Sequence, residues 1–254
     1  MSKNFELMQE AGISLNVPAI EAPKSSLATN RKAKEKVAKS HLNQEDAVAR
    51  DESLKLVQSI FLSRSETPPR AIVFAGIDSG NGCSWICARV AETLADQRLG
   101  TVCVVDANLR SPSLPEMFGV TNHYGLTDSL SKRGSIRDFA KLVRSDNLWL
   151  LSCGSLEAGS PGLLNSETMK LRVSELRKEF DYVLIDSPPL KTYSDGIALA
   201  QVADGLVLVL EANSTRREAA AKVAENLRAA QIKILGAVLN KRTFPIPEAL
   251  YKMM

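Results

Sequence analysis

From residue 71 onward, the apolar residues of this chain follow two rhythms that alternate. Short, nearly continuous apolar runs predict buried strands at Ala71 to Gly76, Thr101 to Asp106, Leu148 to Ser152, Tyr182 to Asp186, Gly205 to Leu210 and Ile232 to Leu239. Between them, apolar residues three or four apart predict helices. These are Ser84 to Arg98 with Ile86, Val90 and Leu94 on one face, Ser166 to Phe180 with Met169, Val173, Leu176 and Phe180 inward, and Thr215 to Ala230. Strand and helix in alternation imply an α/β fold: a doubly wound, mainly parallel sheet with helices on both faces. Ahead of it, Asp46 to Leu62 places Leu54, Val57 and Phe61 at helical spacing, and Pro68-Pro69 breaks the element. The expected organisation is a flexible basic tail at 1–45, a helix and linker at 46–70, a folded domain at 71–244 and a short C-terminal tail at 245–254.

Composition narrows the class without changing that picture. Hydrophobic content of 44% and charged content of 24% are ordinary for a globular protein, and a net charge of +3 is too small to argue for nucleic acid. Charge matters in one place, where Arg31, Lys32, Lys34, Lys36 and Lys39 fall within nine residues. Such a run is either a solvated stretch or a contact for anionic membrane. No apolar run approaches the roughly 18 residues of a membrane span, so a membrane role is expected to go through a partner or the surface. Cys83, Cys87, Cys103 and Cys153 form no C-x-x-C pair, and the chain has two histidines. They are expected to be reduced, mostly buried thiols in the cytoplasm rather than a disulfide framework or zinc site.

Candidate chemistry sits at three strand ends. After the first strand comes Asp78-Ser79-Gly80-Asn81-Gly82-Cys83-Ser84, a glycine-rich turn that opens a helix. This is the layout of a phosphate-binding loop, in which backbone N–H groups and the helix N-terminus surround an anion. Against the pattern G-x-x-x-x-G-K-[ST], Gly82 and Ser84 match, Ile77 stands at the first glycine and Cys83 at the lysine. The second strand ends in Asp106-Ala107-Asn108-Leu109-Arg110-Ser111-Pro112 and the fourth in Asp186-Ser187-Pro188-Pro189. In an open α/β sheet these carboxyl ends face one crevice, where acids hold Mg²⁺ and the loop holds phosphates.

The three motifs in this order resemble the bacterial tyrosine kinases of capsule and exopolysaccharide biosynthesis, within the MinD-like P-loop ATPases. The resemblance runs from about Glu52 to Asn240. It includes Gly162-Leu163-Leu164-Asn165-Ser166, Ser194-Asp195, Ala203-Asp204-Gly205 and Leu235-Gly236-Ala237-Val238-Leu239-Asn240. It implies a cytoplasmic domain, recruited to the inner face of the plasma membrane by a polysaccharide co-polymerase, that binds ATP with Mg²⁺ and phosphorylates tyrosines across a homo-oligomer. The nucleotide site it implies comprises Ser79, Gly80, Asn81, Gly82, Cys83, Ser84, Trp85 and Arg110. Ser84 and Asp106 stand at the metal, Asp106 and Asp186 at the chemistry, and Tyr251 is the candidate phosphoacceptor.

The departures from the family pattern concentrate in this machinery. Cys83 brings no positive charge, Asn108 replaces an acid, Trp85 crowds the first helical turn, and one terminal tyrosine replaces a cluster. The oligomer-forming helix is matched only loosely, by Glu52, Lys55 and Gln58. Arg110 or Lys191 could stand in for the lysine, whereas Arg89 is expected to point away. A thiol at a helix N-terminus tends to ionise, so Cys83 is either reactive or an inert replacement. The expected function is a kinase-like scaffold with impaired ATP binding. An active autokinase is the alternative, and a MinD-like positioning ATPase a more distant one.

Overall fold

The structure is a computed structural model in which residues 49–62, 68–144, 146–155 and 162–242 are described. The basic run at Arg31, Lys32, Lys34, Lys36 and Lys39 lies outside the described residues, as do Tyr251 and the expected tails. A helix, α1, covers residues 49–60. The domain then runs β1 (Ala71–Gly76), α2 (Cys83–Asp96), β2 (Val102–Asp106), α3 (Leu114–Met117), α4 (Leu126–Ser131), β3 (Lys141–Arg144) and β4 (Leu148–Leu151). It continues with α5 (Glu167–Glu179), β5 (Tyr182–Ser187), α6 (Asp195–Val202), β6 (Gly205–Glu211), α7 (Arg217–Ala229) and β7 (Ile234–Asn240). The six strands expected from the apolar runs are present. β3, a four-residue edge strand that pairs antiparallel to β4, was not legible in the pattern.

The sheet has the order β3-β4-β2-β5-β1-β6-β7, with every pairing except β3 to β4 parallel. Alternation along the strands feeds two cores. Ile72, Phe74, Val102, Val104, Leu184, Val207 and Val209 face α1, Phe61 just after it, and α2, with Val57, Ile60, Ile86, Val90 and Leu94 contributed by the two helices. Val73, Val105, Ile185, Leu206 and Leu208 face α5, α6 and α7, which contribute Met169, Val173, Leu176, Leu199, Val223 and Leu227. Residues on both faces of the central strands are therefore sealed from water, as continuous apolar runs require. Burial of this kind contributes about 25 cal/mol per Å² of apolar surface.

Strand order decides which carboxyl ends meet. β5 lies between β2 and β1, so Asp106 and Asp186 stand opposite each other in register, and Asp186 is also opposite Phe74 in β1, two residues before Gly76. At the other end of the sheet, Asp204 ties the start of β1 down, accepting from the N–H groups of Arg70 and Ala71 at 2.8 Å each and from Arg177 at 2.9 Å. Cys87, Cys103 and Cys153 are buried and Cys83 is half-buried, all four as free thiols.

Candidate functional site

The turn after β1 is shaped by two residues in the left-handed region, Gly80 at φ +83° and Gly82 at φ +78°, where a side chain would be strained. Gly82 is also the N-cap of α2, and a Cβ there would collide with the Asn240 amide. The turn is stitched from outside. Asp78 N–H donates to Asn81 Oδ1 at 2.7 Å, and the Asn240 amide donates to Asn81 O at 2.9 Å. Lys241 Nζ donates to Gly80 O at 2.7 Å. From the side, Leu190 N–H and Lys191 N–H donate to Gly76 O and Ile77 O at 2.9 and 3.1 Å. Ser79 and Gly80 are exposed, whereas Asn81 is buried.

The two acids are buried but satisfied differently. Asp106 Oδ1 accepts from Asn108 N–H at 3.2 Å, and Oδ2 accepts from Ser113 and Leu114 N–H at 3.1 Å each. Asp106 thus organises the turn into α3. Neither oxygen of Asp186 has a hydrogen bond of good geometry, although the Ser84 hydroxyl and the Cys83 thiol are close enough to favour its ionised form. Burial, followed by the neighbouring Asp186 charge, raises the Asp106 pKa to about 7. Burial raises that of Asp186 to about 6. Two buried like-charged carboxyls on adjacent strands, one of them with both oxygens unmet, are costly to keep ionised without a cation. The donor set of Ser84, Asp106 and Asp186, all hard oxygens, fits Mg²⁺. No cluster of three or more His, Cys, Asp or Glu forms a metal centre among the described residues.

Cys83 behaves opposite to a reactive helix-terminal thiol. Burial, reinforced by the negative charge of Asp186, pushes its pKa well up, so the helix N-terminus does not activate it. Trp85, expected to crowd the first turn, is instead 40% exposed, with the Arg89 guanidinium 5.3 Å from its ring centre. Arg89 also pairs with Glu92 at 3.5 Å. Arg110 stacks on Tyr193 at 4.0 Å and pairs with Asp195 at 3.5 Å. It forms one wall of a crevice of about 350 Å³ with Ala107, Leu109, Leu164 and Pro188, tied to the segment after β5 rather than to the loop.

The geometry therefore brings Gly80 to Ser84, Asp106 and Asp186 together, with Arg110 to one side. Sequence reasoning missed Glu211 and Lys241. The signal was faint: Asn240-Lys241 closes the last strand, and Glu211 closes the one beside it.

Comparison with known proteins bears on the family and the fold. The ParA family model, described as NUBPL iron-transfer P-loop NTPase, matches residues 70–253. "Tyrosine-protein kinase YwqD" of Bacillus subtilis is 33% identical over 171 residues, which span 67% of this chain and 72% of that protein. "Putative tyrosine-protein kinase CapB" of Staphylococcus aureus is 28% identical over 183 residues, 72% of this chain and 80% of that one. The crystal structure of the VpsO kinase domain shares the fold, with a TM-score of 0.70 at 24% identity over 78% of this chain and 98% of that one. With its seven-stranded sheet, its loop and its paired acids, this chain belongs to the bacterial tyrosine kinase family of capsule and exopolysaccharide biosynthesis, within the ParA and MinD group of P-loop NTPases.

Proposed function

We propose that this chain is a tyrosine-kinase-like regulator of exopolysaccharide or capsule biosynthesis and export, with impaired ATP binding, that acts as a scaffold. The observation that carries this reading is Cys83. It stands where the motif has a lysine, and its thiol is held neutral beside Asp186. A charge-assisted contact to a terminal phosphate contributes about 1.5–3 kcal/mol, or roughly ten- to hundredfold in affinity. No cation in the loop replaces it.

A second reading, an active autokinase, draws support from the unpartnered oxygens of Asp186 next to Ser84 and Asp106. In that reading Ser84 and Asp106 hold Mg²⁺ with Asp186 beside them, and the metal when bound supplies charge neutralisation to the phosphates. Gly80 to Ser84 cradle the phosphates, Ser79 and Trp85 flank them, and Asp106 or Asp186 orients the incoming hydroxyl. Tyr251 is then the acceptor, presented across a homo-oligomer. In both readings the partner is a membrane polysaccharide co-polymerase that recruits residues 71–244 to the membrane, and the basic run at Arg31 to Lys39 adds contact with anionic lipid. Among the described residues no helix is long and apolar enough to cross a membrane.

The test is calorimetric titration with Mg·ATP and Mg·ADP of the protein and its Cys83→Lys variant. The scaffold reading expects no measurable binding by the protein and recovery in the variant. Tight binding by the unaltered protein would overturn it in favour of the autokinase.

A further inference from the structure

The outer rim of the phosphate loop carries a belt of alternating charge. Lys191 Nζ lies 2.8 Å from Asp78 Oδ1, at the start of the turn. Asp78 N–H bonds Asn81 Oδ1 at 2.7 Å, and Asn81 Nδ2 reaches Glu211 Oε2 at 3.3 Å. Glu211 Oε1 lies 3.2 Å from Lys241 Nζ, which returns to Gly80 O at 2.7 Å. Two lysines from different segments, 50 residues apart in sequence by their numbers, thus converge on one short turn. Each is neutralised there by a single carboxylate.

We propose that Lys191 and Lys241 are reserve cations of this loop, held off by Asp78 and Glu211, so that the loop is an autoinhibited site for a polyphosphate anion. The inference rests on the reading that the backbone cradle of Gly80 to Ser84 is intact. Three physical points carry it. Both lysines are exposed at their tips, with side-chain exposures of 61% and 49%, and exposed ion pairs stabilise by little, so exchange of partners is cheap. Lysine is a compact charge on a flexible stem, able to leave a carboxylate for a nearby phosphate without rebuilding the backbone. A polyphosphate offers several charges at once where Asp78 and Glu211 each offer one, and it would lie in the turn to which both lysines are already tethered. The belt accounts for a loop that keeps its shape after losing its own lysine: Asn81, 2% exposed, and Asn240 hold the turn, while the charges remain paired at its rim.

Calorimetric titration with inorganic tripolyphosphate and with Mg·ATP, at low and high salt, tests this on the full chain. The Asp78→Asn/Glu211→Gln variant keeps one amide acceptor at each position, facing Lys191 at 78 and either Asn81 or Lys241 at 211, and removes the competing charge. It is expected to bind tripolyphosphate about tenfold more tightly than the unaltered protein, with a steeper loss in salt, the scale of two partly screened charge contacts. Adding Lys191→Ala and Lys241→Ala to that variant should abolish the gain. Binding of Mg·ATP that improves in parallel identifies the nucleotide's phosphates as what the belt meets, and improvement with tripolyphosphate alone restricts the site to free polyphosphate. No gain in the acid variant, while Cys83→Lys does bind, overturns the belt and leaves the cradle standing. No binding by either variant overturns the cradle and the belt with it. Lys191, Lys241 and Asp78 are exposed at their tips whereas Glu211 and Cys83 are half-buried, and a circular dichroism melt matched to the unaltered protein confirms that each variant is folded.

Discussion

The two ends of the sheet treat their acids in opposite ways. At the amino end, Asp181 accepts from the Thr101 N–H at 2.8 Å and hydroxyl at 3.0 Å, with Arg70 at 3.9 Å, and its pKa is lowered chiefly by the Thr101 amide. Asp204 is lowered too: burial pushes it up, but the Ala71 and Arg70 amides and the Arg177 guanidinium outweigh that. At the carboxyl end, Asp106 and Asp186 are raised by burial and face each other. Carboxylates whose donors are already present stabilise the native state. Asp106 has three backbone donors and is still raised, whereas Asp186 is buried without one; a carboxylate of the latter kind is retained against stability and marks a place where a ligand completes the structure.

The strongest way to break this comparison is Asp204→Ala. It strands two backbone N–H groups and the Arg177 charge, and is expected to destabilise the fold by about 2–3 kcal/mol in urea unfolding. A loss below about 0.5 kcal/mol would show that the amino-end network is dispensable. Asp186→Asn should do the reverse, stabilising by about 1–2 kcal/mol at pH 8, because it removes a charge that burial disfavours. Destabilisation there would mean that the carboxylate has a structural partner after all.

Stability against pH sharpens the same contrast. Asp106 and Asp186 have folded pKa values of about 7 and about 6, above their unfolded value near 3.8, so the native state binds more protons between them. Stability should therefore rise as pH falls from about 8 towards 4. Asp181 and Asp204 have lowered values, so their contribution is lost as pH falls below about 4. The expected curve peaks near pH 4, where the gain from the raised pair ends and the loss from the lowered pair begins, and its alkaline limb flattens in Asp186→Asn. A curve unchanged by that substitution would remove Asp186 from the account. The smallest effect is chemical: Cys83 should alkylate no faster at pH 7 than an ordinary exposed thiol, which mass spectrometry can time, and rapid labelling would reverse the reading of its environment.

Much of the fold was legible because its signals are local. The runs at Ala71–Gly76 and Leu206 to Leu210 announce strands sealed on both faces, and the spacing of Ile86, Val90 and Leu94 announces the face of α2 that meets them. β3 escaped because its four residues, Lys141 to Arg144, are half exposed and too few to show a period. α6 was visible only as Ser194-Asp195. The glycine turn and the two strand-ending acids could be read because each is contiguous. What could not be read is how their polar atoms are satisfied. Asp106 spends its oxygens on Asn108, Ser113 and Leu114, whereas Asp186, written into an almost identical strand ending, keeps both of its own unmet.

By itself, then, the order of residues determined the strand and helix periods, the family, and the absence of a positive charge at position 83, since each is carried by contiguous stretches or by the order in which three of them occur. Only the tertiary structure decided that Asp106 and Asp186 stand in register, that the Cys83 thiol is pushed up rather than down, and that Asn81 meets Glu211 and Asn240 across separations of 130 and 159 residues. Burial and hydrogen bonding between distant segments follow from strand order, and strand order is settled by packing the whole sheet rather than by any single stretch of it.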